Sequence, residues 1–288
     1  MTLPLTPREA ARLADQAEAL AYADFFAAAP TELRRRLRLS IEQIADATLL
    51  LAPGLPITIL NRAIGLGLQH DARVEDVRNI AARFRDAGCQ AWQLLWSPLA
   101  RPQNLLSVLS AQGLDFHPVS NWAKMVRGAD APPEIASTLS AAPASAHDAE
   151  KAASVITEAF GLPPYVADWF LQLHGRPGWK LYSVKDGDAV VGGGSLFVAG
   201  ELAWLGMGGV ATSHRRRGGQ GVLIARRIEG AIGLSARYIF TETGEPVDNE
   251  PSPSLNNMKR CGFRKILSRL NLVGSDHLMP SSNGAEKG

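Results

Sequence analysis

The segment Val210-Ala211-Thr212-Ser213-His214-Arg215-Arg216-Arg217-Gly218-Gly219-Gln220-Gly221 sets a run of arginines directly before a run of glycines. An apolar stretch at 203–210 leads into it and a helix-like stretch at 222–232 leads out. This is a basic, glycine-rich turn between an expected strand and an expected helix. The first amides of a helix have no intrahelical acceptor, and the helix dipole adds partial positive charge there. Glycine lets the backbone approach an anion closely, and guanidinium groups add charge and paired donors. The chemistry this predicts is pyrophosphate binding. No Gly-Lys-Ser/Thr triplet occurs, so the turn is not a P-loop. Gly206-Met207-Gly208 is a G-x-G, but Ala211 stands where a third glycine belongs and the glycines lie inside the apolar run, which argues against a dinucleotide fingerprint. For proton transfer the best candidate is Glu242, at the end of an apolar strand at 238–242. Glu245 and Asp248 follow in the same polar segment, so a solvated carboxylate is the competing reading.

Arg216-Arg217-Gly218-Gly219-Gln220-Gly221 fits the acyl-CoA loop pattern [Q/R]-x-x-G-x-[G/A] in full. A second register, in which Arg215 is the first arginine and the loop runs to Gln220, fits the longer pattern. Downstream, Asn256-Asn257-Met258 lies in a short helix that ends at Gly262-Phe263, and a strand is expected at 266–273. Gly262 reads as a left-handed helix stop. In this order and spacing the second half resembles the GNAT superfamily of N-acetyltransferases. The resemblance implies an α/β (α+β) fold, a mixed central sheet flanked by helices, with acetyl-CoA as co-substrate and no metal. It implies that the amides from Arg215 through Arg216, Arg217, Gly218, Gly219 and Gln220 to Gly221 hold the pyrophosphate. A backbone amide near Gly209 or Val210 would face the thioester oxygen, and Asn257 would meet the pantetheine or phosphate arm. The family's usual general acid is a tyrosine four residues before the Gly-Phe pair. Met258 occupies that position and cannot donate a proton.

At 288 residues, with 46% hydrophobic residues and a net charge of +2, the composition is that of a globular chain of about two domains. The balanced charge excludes a nucleic-acid protein as a whole, and Arg34-Arg35-Arg36 is a local cluster. Cys89 and Cys261 form neither a disulfide framework nor a zinc set, and a buried structural thiol is the favoured reading of Cys261. Residues 1–7 lack a charged start and a long apolar region, and the apolar stretch at 47–60 is broken by Pro53 and Pro56. The expectation is a soluble, cytoplasmic protein with no membrane and no nucleic-acid partner, and a homodimer is compatible with it.

Periodicity predicts helices at 10–29, 32–39 and 41–50, a strand at 57–60, a helix at 73–87, a strand at 90–96, a helix at 102–112 and a strand at 122–126. The Ala-, Pro- and Ser-rich stretch around 131–148 reads as a linker. Helices at 149–160 and 163–174, a hairpin of 179–184 with 189–199, and a strand at 201–211 follow. The expected division is therefore 1–130, linker 131–148, and 149–288. The helix at 102–112, with Gly113 and Phe116 after it, parallels the arrangement around Gly262-Phe263. The first half thus resembles a degenerate GNAT-like copy without the arginine-glycine loop; an unrelated helper domain is the alternative. The function read from these features is transfer of an acetyl group from acetyl-CoA to a small-molecule amine acceptor. The alternative is a non-catalytic acyl-CoA-binding regulatory protein, motivated by Met258.

Overall fold

The computed structural model describes residues 3–246 and 252–274. The first part of the chain forms α1 (Pro7–Ala28), α2 (Thr31–Leu37), β1 (Ser40–Ile44), β2 (Ala47–Leu51), β3 (Arg62–Ile64), α3 (Val74–Ala87), β4 (Gln93–Trp96), α4 (Leu105–Ala111) and β5 (Phe116–Arg127). The rest forms β6 (Ser140–Pro143), α5 (Ala146–Ala159), α6 (Ala167–Leu171), β7 (Trp179–Asp186), β8 (Ala189–Ala199), β9 (Leu202–Val210), α7 (Gly219–Gly233), β10 (Tyr238–Gly244), α8 (Pro253–Arg260) and β11 (Arg264–Gly274). The chain folds as two compact units, Met1–Arg36 with Trp122–Ser268, and Leu37–Asn121 with Arg269–Gly288. Each unit draws on two stretches of chain, so the units do not follow the consecutive split at 131–148 expected from composition.

In the first unit the strand order is β5-β10-β9-β8-β7-β6. β9 and β10 run parallel, joined by α7, while β10 pairs antiparallel with residues 122–127 of β5. Ala203, Leu205, Leu223, Ile224, Ile228 and Ile239 form the centre of the core between this sheet and α7. The expected linker contains β6, which pairs with β7 through Ser140–Lys185 and Pro143–Tyr182. A short run with one alternating apolar position is too weak a signal for an edge strand. The helix expected at 163–174 divides into a 3-10 turn, Pro164–Val166, and α6.

α1 begins as its sequence predicts. Thr6 accepts from the Glu9 N–H at 3.3 Å, Glu9 accepts from the Thr6 N–H at 2.8 Å, and Pro7 opens the first turn. The helix is fixed to the unit by stacking of Phe25 on Trp169, with ring centroids 4.2 Å apart, and by the Trp169 indole N–H donating to the Phe25 carbonyl. At its far end Asp24 accepts from Arg176 at 2.5 and 2.9 Å and from the Trp179 indole at 2.7 Å.

The second unit repeats the topology with order β1-β2-β3-β4-β11. β3 and β4 run parallel, joined by α3, and β4 pairs antiparallel with residues 270–272 of β11. The helix expected at 41–50 is instead the β1–β2 hairpin, turning at Ala45 with φ 51°. All five residues of β2 are buried, and a continuous apolar run reads alike as a buried helix or a central strand. The strand expected at 57–60 is a 3-10 turn, Thr58–Leu60. The Asn61 side chain holds it there, donating to the carbonyls of Leu55 (2.9 Å) and Ile57 (3.0 Å) and accepting from the Ala52 N–H (2.7 Å). α3 ends at Gly88 (φ 77°) as expected.

Hydrogen bonding from Arg176 holds the Asp24 carboxyl below its ordinary range, with burial opposing. Its stabilisation is therefore present at neutral pH and is lost as pH falls through that depressed value. Asp24→Asn is expected to cost about 1 kcal/mol at neutral pH, the half-exposed pair being screened by solvent. Urea midpoints should show this gap closing in acid.

Candidate functional site

The site grows from an irregularity between β8 and β9. Gly193 pairs with Gly209 and Ser195 with Gly206, so Gly194 of β8 stands opposite both Met207 and Gly208 of β9. Met207, in the extra position, takes the left-handed conformation with φ 52°. On its other edge, β9 pairs with β10 up to Leu205–Thr241 and no further. Peptide groups of 206–210 thereby leave the β9–β10 ladder. Side chains satisfy the carbonyls at this break: Thr241 Oγ1 donates to Leu205 O (2.8 Å) and Ser195 Oγ to Gly206 O (3.2 Å).

Beyond β9 the chain makes a 3-10 turn, Thr212–His214, then enters α7. Arg216 (φ 63°) and Gly218 (φ 85°) are left-handed, and no side chain caps the helix at Gly218. The first-turn amides of α7 are thus available to an anion. Gly218 is required twice over, because a Cβ there would lie 2.8 Å from Ser137 Cβ and 2.9 Å from Ala136 O. Ser137 Oγ secures the contact by donating to Arg217 O at 2.6 Å. Arg217 turns to the β7–β8 hairpin, donating to Asp186 at 2.7 and 3.1 Å and to Thr138 at 3.0 Å. That hydrogen bond lowers the Asp186 pKa.

A cleft of about 720 Å³ lies along this segment. Of the residues singled out from the sequence, Gly209, Val210, Arg215, Arg216, Gly218, Gly219, Gln220 and Asn257 line it. Arg217, Gly221 and Glu242 are outside that lining. Gly221 faces Ile135, 2.9 Å from where its Cβ would be. Sequence reasoning missed Phe160 and Arg260 in the lining, while Gly208 belongs to the glycine run it marked beside Gly209. Arg260 was findable, being three residues after Asn257 on one helix face. Phe160 comes from the end of α5, and nothing local marks it.

Glu242 follows the last residue of β10 that pairs with β9, where the two parallel strands part. Its direct cross-strand neighbour is Lys124 of β5, with Glu242 Oε2 2.7 Å from Lys124 Nζ. The same ammonium lies 2.7 Å from Glu18 and 3.3 Å from Asp15 of α1, and these side chains are at most 4% exposed. Glu245 of the polar segment pairs with Lys265, while Asp248 lies outside the described residues. Met258, at the place of the family's tyrosine, packs in the core and not in the cleft. Cys261 is fully buried, and burial holds its thiol above the usual range, as suits a structural cysteine.

The equivalent loop of the second unit follows β3 and precedes α3. There Asp46 accepts from the N–H groups of Gly67 (2.9 Å), Gln69 (2.8 Å) and His70 (3.2 Å). A fixed carboxylate thus occupies three amides of that loop. Gly113 (φ 75°) before β5 matches Gly262 (φ 84°) before β11, as the internal parallel in the sequence predicts. For the loop of the first unit, Gly218→Ala is expected to cost about 2 kcal/mol or more through strain and overlap. Gly233→Ala, in a helix position with open space, is expected to be neutral or stabilising by about 0.5–1 kcal/mol. Thermal denaturation of the two variants checks both.

No protein-family model matches the sequence, and no curated protein matches it. Solved structures do resemble it. A GCN5-related N-acetyltransferase from Kribbella flavida superposes with a TM-score of 0.59 at 19% identity, covering 88% of this chain and 95% of its own. One from Sphaerobacter thermophilus gives 0.56 at 20% identity, covering 93% and 92%. A tandem GNAT protein from the clavulanic acid biosynthesis pathway gives 0.51 at 17% identity, covering 94% and 97%. This chain has the fold of the GNAT N-acetyltransferases, in its tandem form.

Proposed function

We propose that this protein is an N-acetyltransferase that moves an acetyl group from acetyl-CoA to a small amine by direct transfer. The observation that carries the reading is the cleft itself. Its lining brings together the uncapped start of α7, with Arg215 and Arg216, and residues 208–210 of the bulged strand. A ligand that carries both a pyrophosphate and a carbonyl matches those two features. The amides of Gly218, Gly219 and Gln220 with Arg215 and Arg216 would hold the pyrophosphate, and Asn257 the connecting arm. Arg217 and Gly221 act indirectly, the first by latching the loop to Asp186 and the second by seating α7 on Ile135.

Acetyl-CoA supplies an activated thioester. The protein has to place a neutral amine beside its carbonyl, polarise that carbonyl and accept a proton. Amides near Gly209 and Val210 would polarise the oxygen. The amine nitrogen forms the new C–N bond, the C–S bond breaks, and the amine's proton passes to a base. Glu242 is the candidate for that base, although it lies outside the cleft lining and would be reached through an intervening proton carrier. Lys124 keeps that carboxylate in place from the neighbouring strand. Because Met258 is buried in the core, the CoA thiolate leaves without a proton from that position. The absence of an arginine-glycine run before α3 supports one acyl-CoA per chain. Among the described residues no helix is long and apolar enough to cross a membrane.

The test is thiol release from acetyl-CoA against a broad panel of amines, with CoA binding followed by calorimetry. One CoA per chain and turnover with one amine class are expected. Arg215→Ala and Arg216→Ala should each weaken CoA binding roughly tenfold, as loss of an exposed charge-assisted contact does. Glu242→Gln should lower kcat about 100-fold while leaving CoA binding within about threefold of wild type. CoA binding without thiol release would favour a non-catalytic acyl-CoA-binding protein, and absence of CoA binding would reject both.

A further inference from the structure

The bulge that lines the cleft is held from behind by one buried cation. Adjacent residues of a strand face opposite sides of a sheet. Here Gly193 faces Ala152 of α5 and Gly194 faces Leu223 and Arg227 of α7. Arg227 is 3% exposed. Its Nη1 donates to Ser195 O at 3.1 Å and to Gly206 O at 3.0 Å, and its Nε donates to Leu223 O at 3.3 Å. The guanidinium lies flat against glycine backbone: a Cβ on Gly208 would come within 3.0 Å of Nη2, and one on Gly194 within 3.2 Å of Cζ. Two glycines therefore make room for a planar group, and that group binds both carbonyls of the Ser195–Gly206 pair, the rung that borders the break in register.

We propose that Arg227 is a positioning residue for acyl transfer: by holding the carbonyls of Ser195 and Gly206 it fixes the β8–β9 bulge and so aims the 208–210 peptides at the acyl carbonyl in the cleft. It touches no substrate. The proposal rests on the transferase reading above. A bulge without such a brace can trade its extra residue along the strand, which would turn each peptide group to a new direction. Burial lowers the Arg227 pKa to about 10, so the group is cationic at neutral pH. Its charge then sits behind the peptides that face the developing oxyanion, on the side where it stabilises negative charge. A lysine ammonium could donate to the same carbonyls but lacks the planar group that fits between Gly194 and Gly208 and the Nε that donates to Leu223 O.

The experiment compares Arg227→Met and Arg227→Lys with the exposed Arg226→Ala on the same helix. Four quantities are read: folded fraction, CoA affinity, kcat per folded molecule, and the infrared carbonyl stretch of bound ¹³C-acetyl-CoA. For Arg227→Met we expect CoA affinity within about threefold of wild type, because the pyrophosphate loop is untouched. We expect kcat to fall about 10- to 100-fold, the scale of losing an aligned oxyanion donor. The bound carbonyl stretch should move back towards its frequency in water. Arg227→Lys should recover part of both, and Arg226→Ala neither. If Arg227→Met does not fold, Ser195→Ala, which removes a second donor to Gly206 O, and Arg227→Lys decide in the same direction. Wild-type kcat and carbonyl frequency in the folded variants would overturn the proposal alone. A wild-type protein that neither binds CoA nor releases thiol would overturn the transferase reading, and this proposal with it.

Discussion

A peptide group taken out of a ladder must find another partner or face a ligand, and the first unit is organised around that demand. β9 keeps β8 along its length but leaves β10 after Leu205. An unpaired buried carbonyl costs about as much as a lost hydrogen bond, so the carbonyls at the break are claimed by Thr241, Ser195 and Arg227. What remains accessible is the 208–210 segment in the cleft. The glycines there follow from the same demand. Gly209 would place a Cβ 2.5 Å from Ala159, and Gly208 would meet Arg227. The density of glycine in β8 and β9 reflects close packing from both faces, with α5 on one and α7 on the other.

The entrance to α7 is prepared in advance of any ligand. Arg216 and Gly218 are already left-handed, Ser137 already holds the loop carbonyl, and Arg217 already pairs with Asp186. A loop ordered before binding loses little entropy when an anion arrives. Of the arginine run, two side chains face the cleft and one serves as a latch, a division of labour that sequence adjacency conceals. The second unit shows the opposite use of the same geometry, with Asp46 as a permanent internal acceptor for its loop amides.

Buried charge ties α1 to the first unit. Lys124 meets Asp15, Glu18 and Glu242 where almost no solvent reaches. Such a cluster contributes little net stability once desolvation is counted, yet removing one member leaves the others badly solvated. Its effect is on specificity: a carboxylate helix face fits only where the ammonium is. Glu242 is thereby held at the point where β9 and β10 part, by a residue from the middle of the chain and by a helix from its start.

Much was legible in the sequence because it rests on local rules. The strand, glycine turn and helix around 203–232, the capped start of α1, the αL stops at Gly88, Gly113 and Gly262, and the hairpin of β7 and β8 follow from propensity, capping and left-handed glycine, which depend on neighbours along the chain. The contacts that decide the site were not legible. That Arg217 turns to Asp186, that Lys124 meets Glu18 and Glu242, that Arg227 braces a bulge, and that Phe160 lines the cleft depend on residues distant in sequence. The same limit explains β2, where an apolar run looks alike as helix or central strand until its neighbours are placed. Local propensity determined which elements form and where an anion would be welcome. Tertiary packing decided which side chains reach that place, because burial and long-range pairing outweigh the small local preferences.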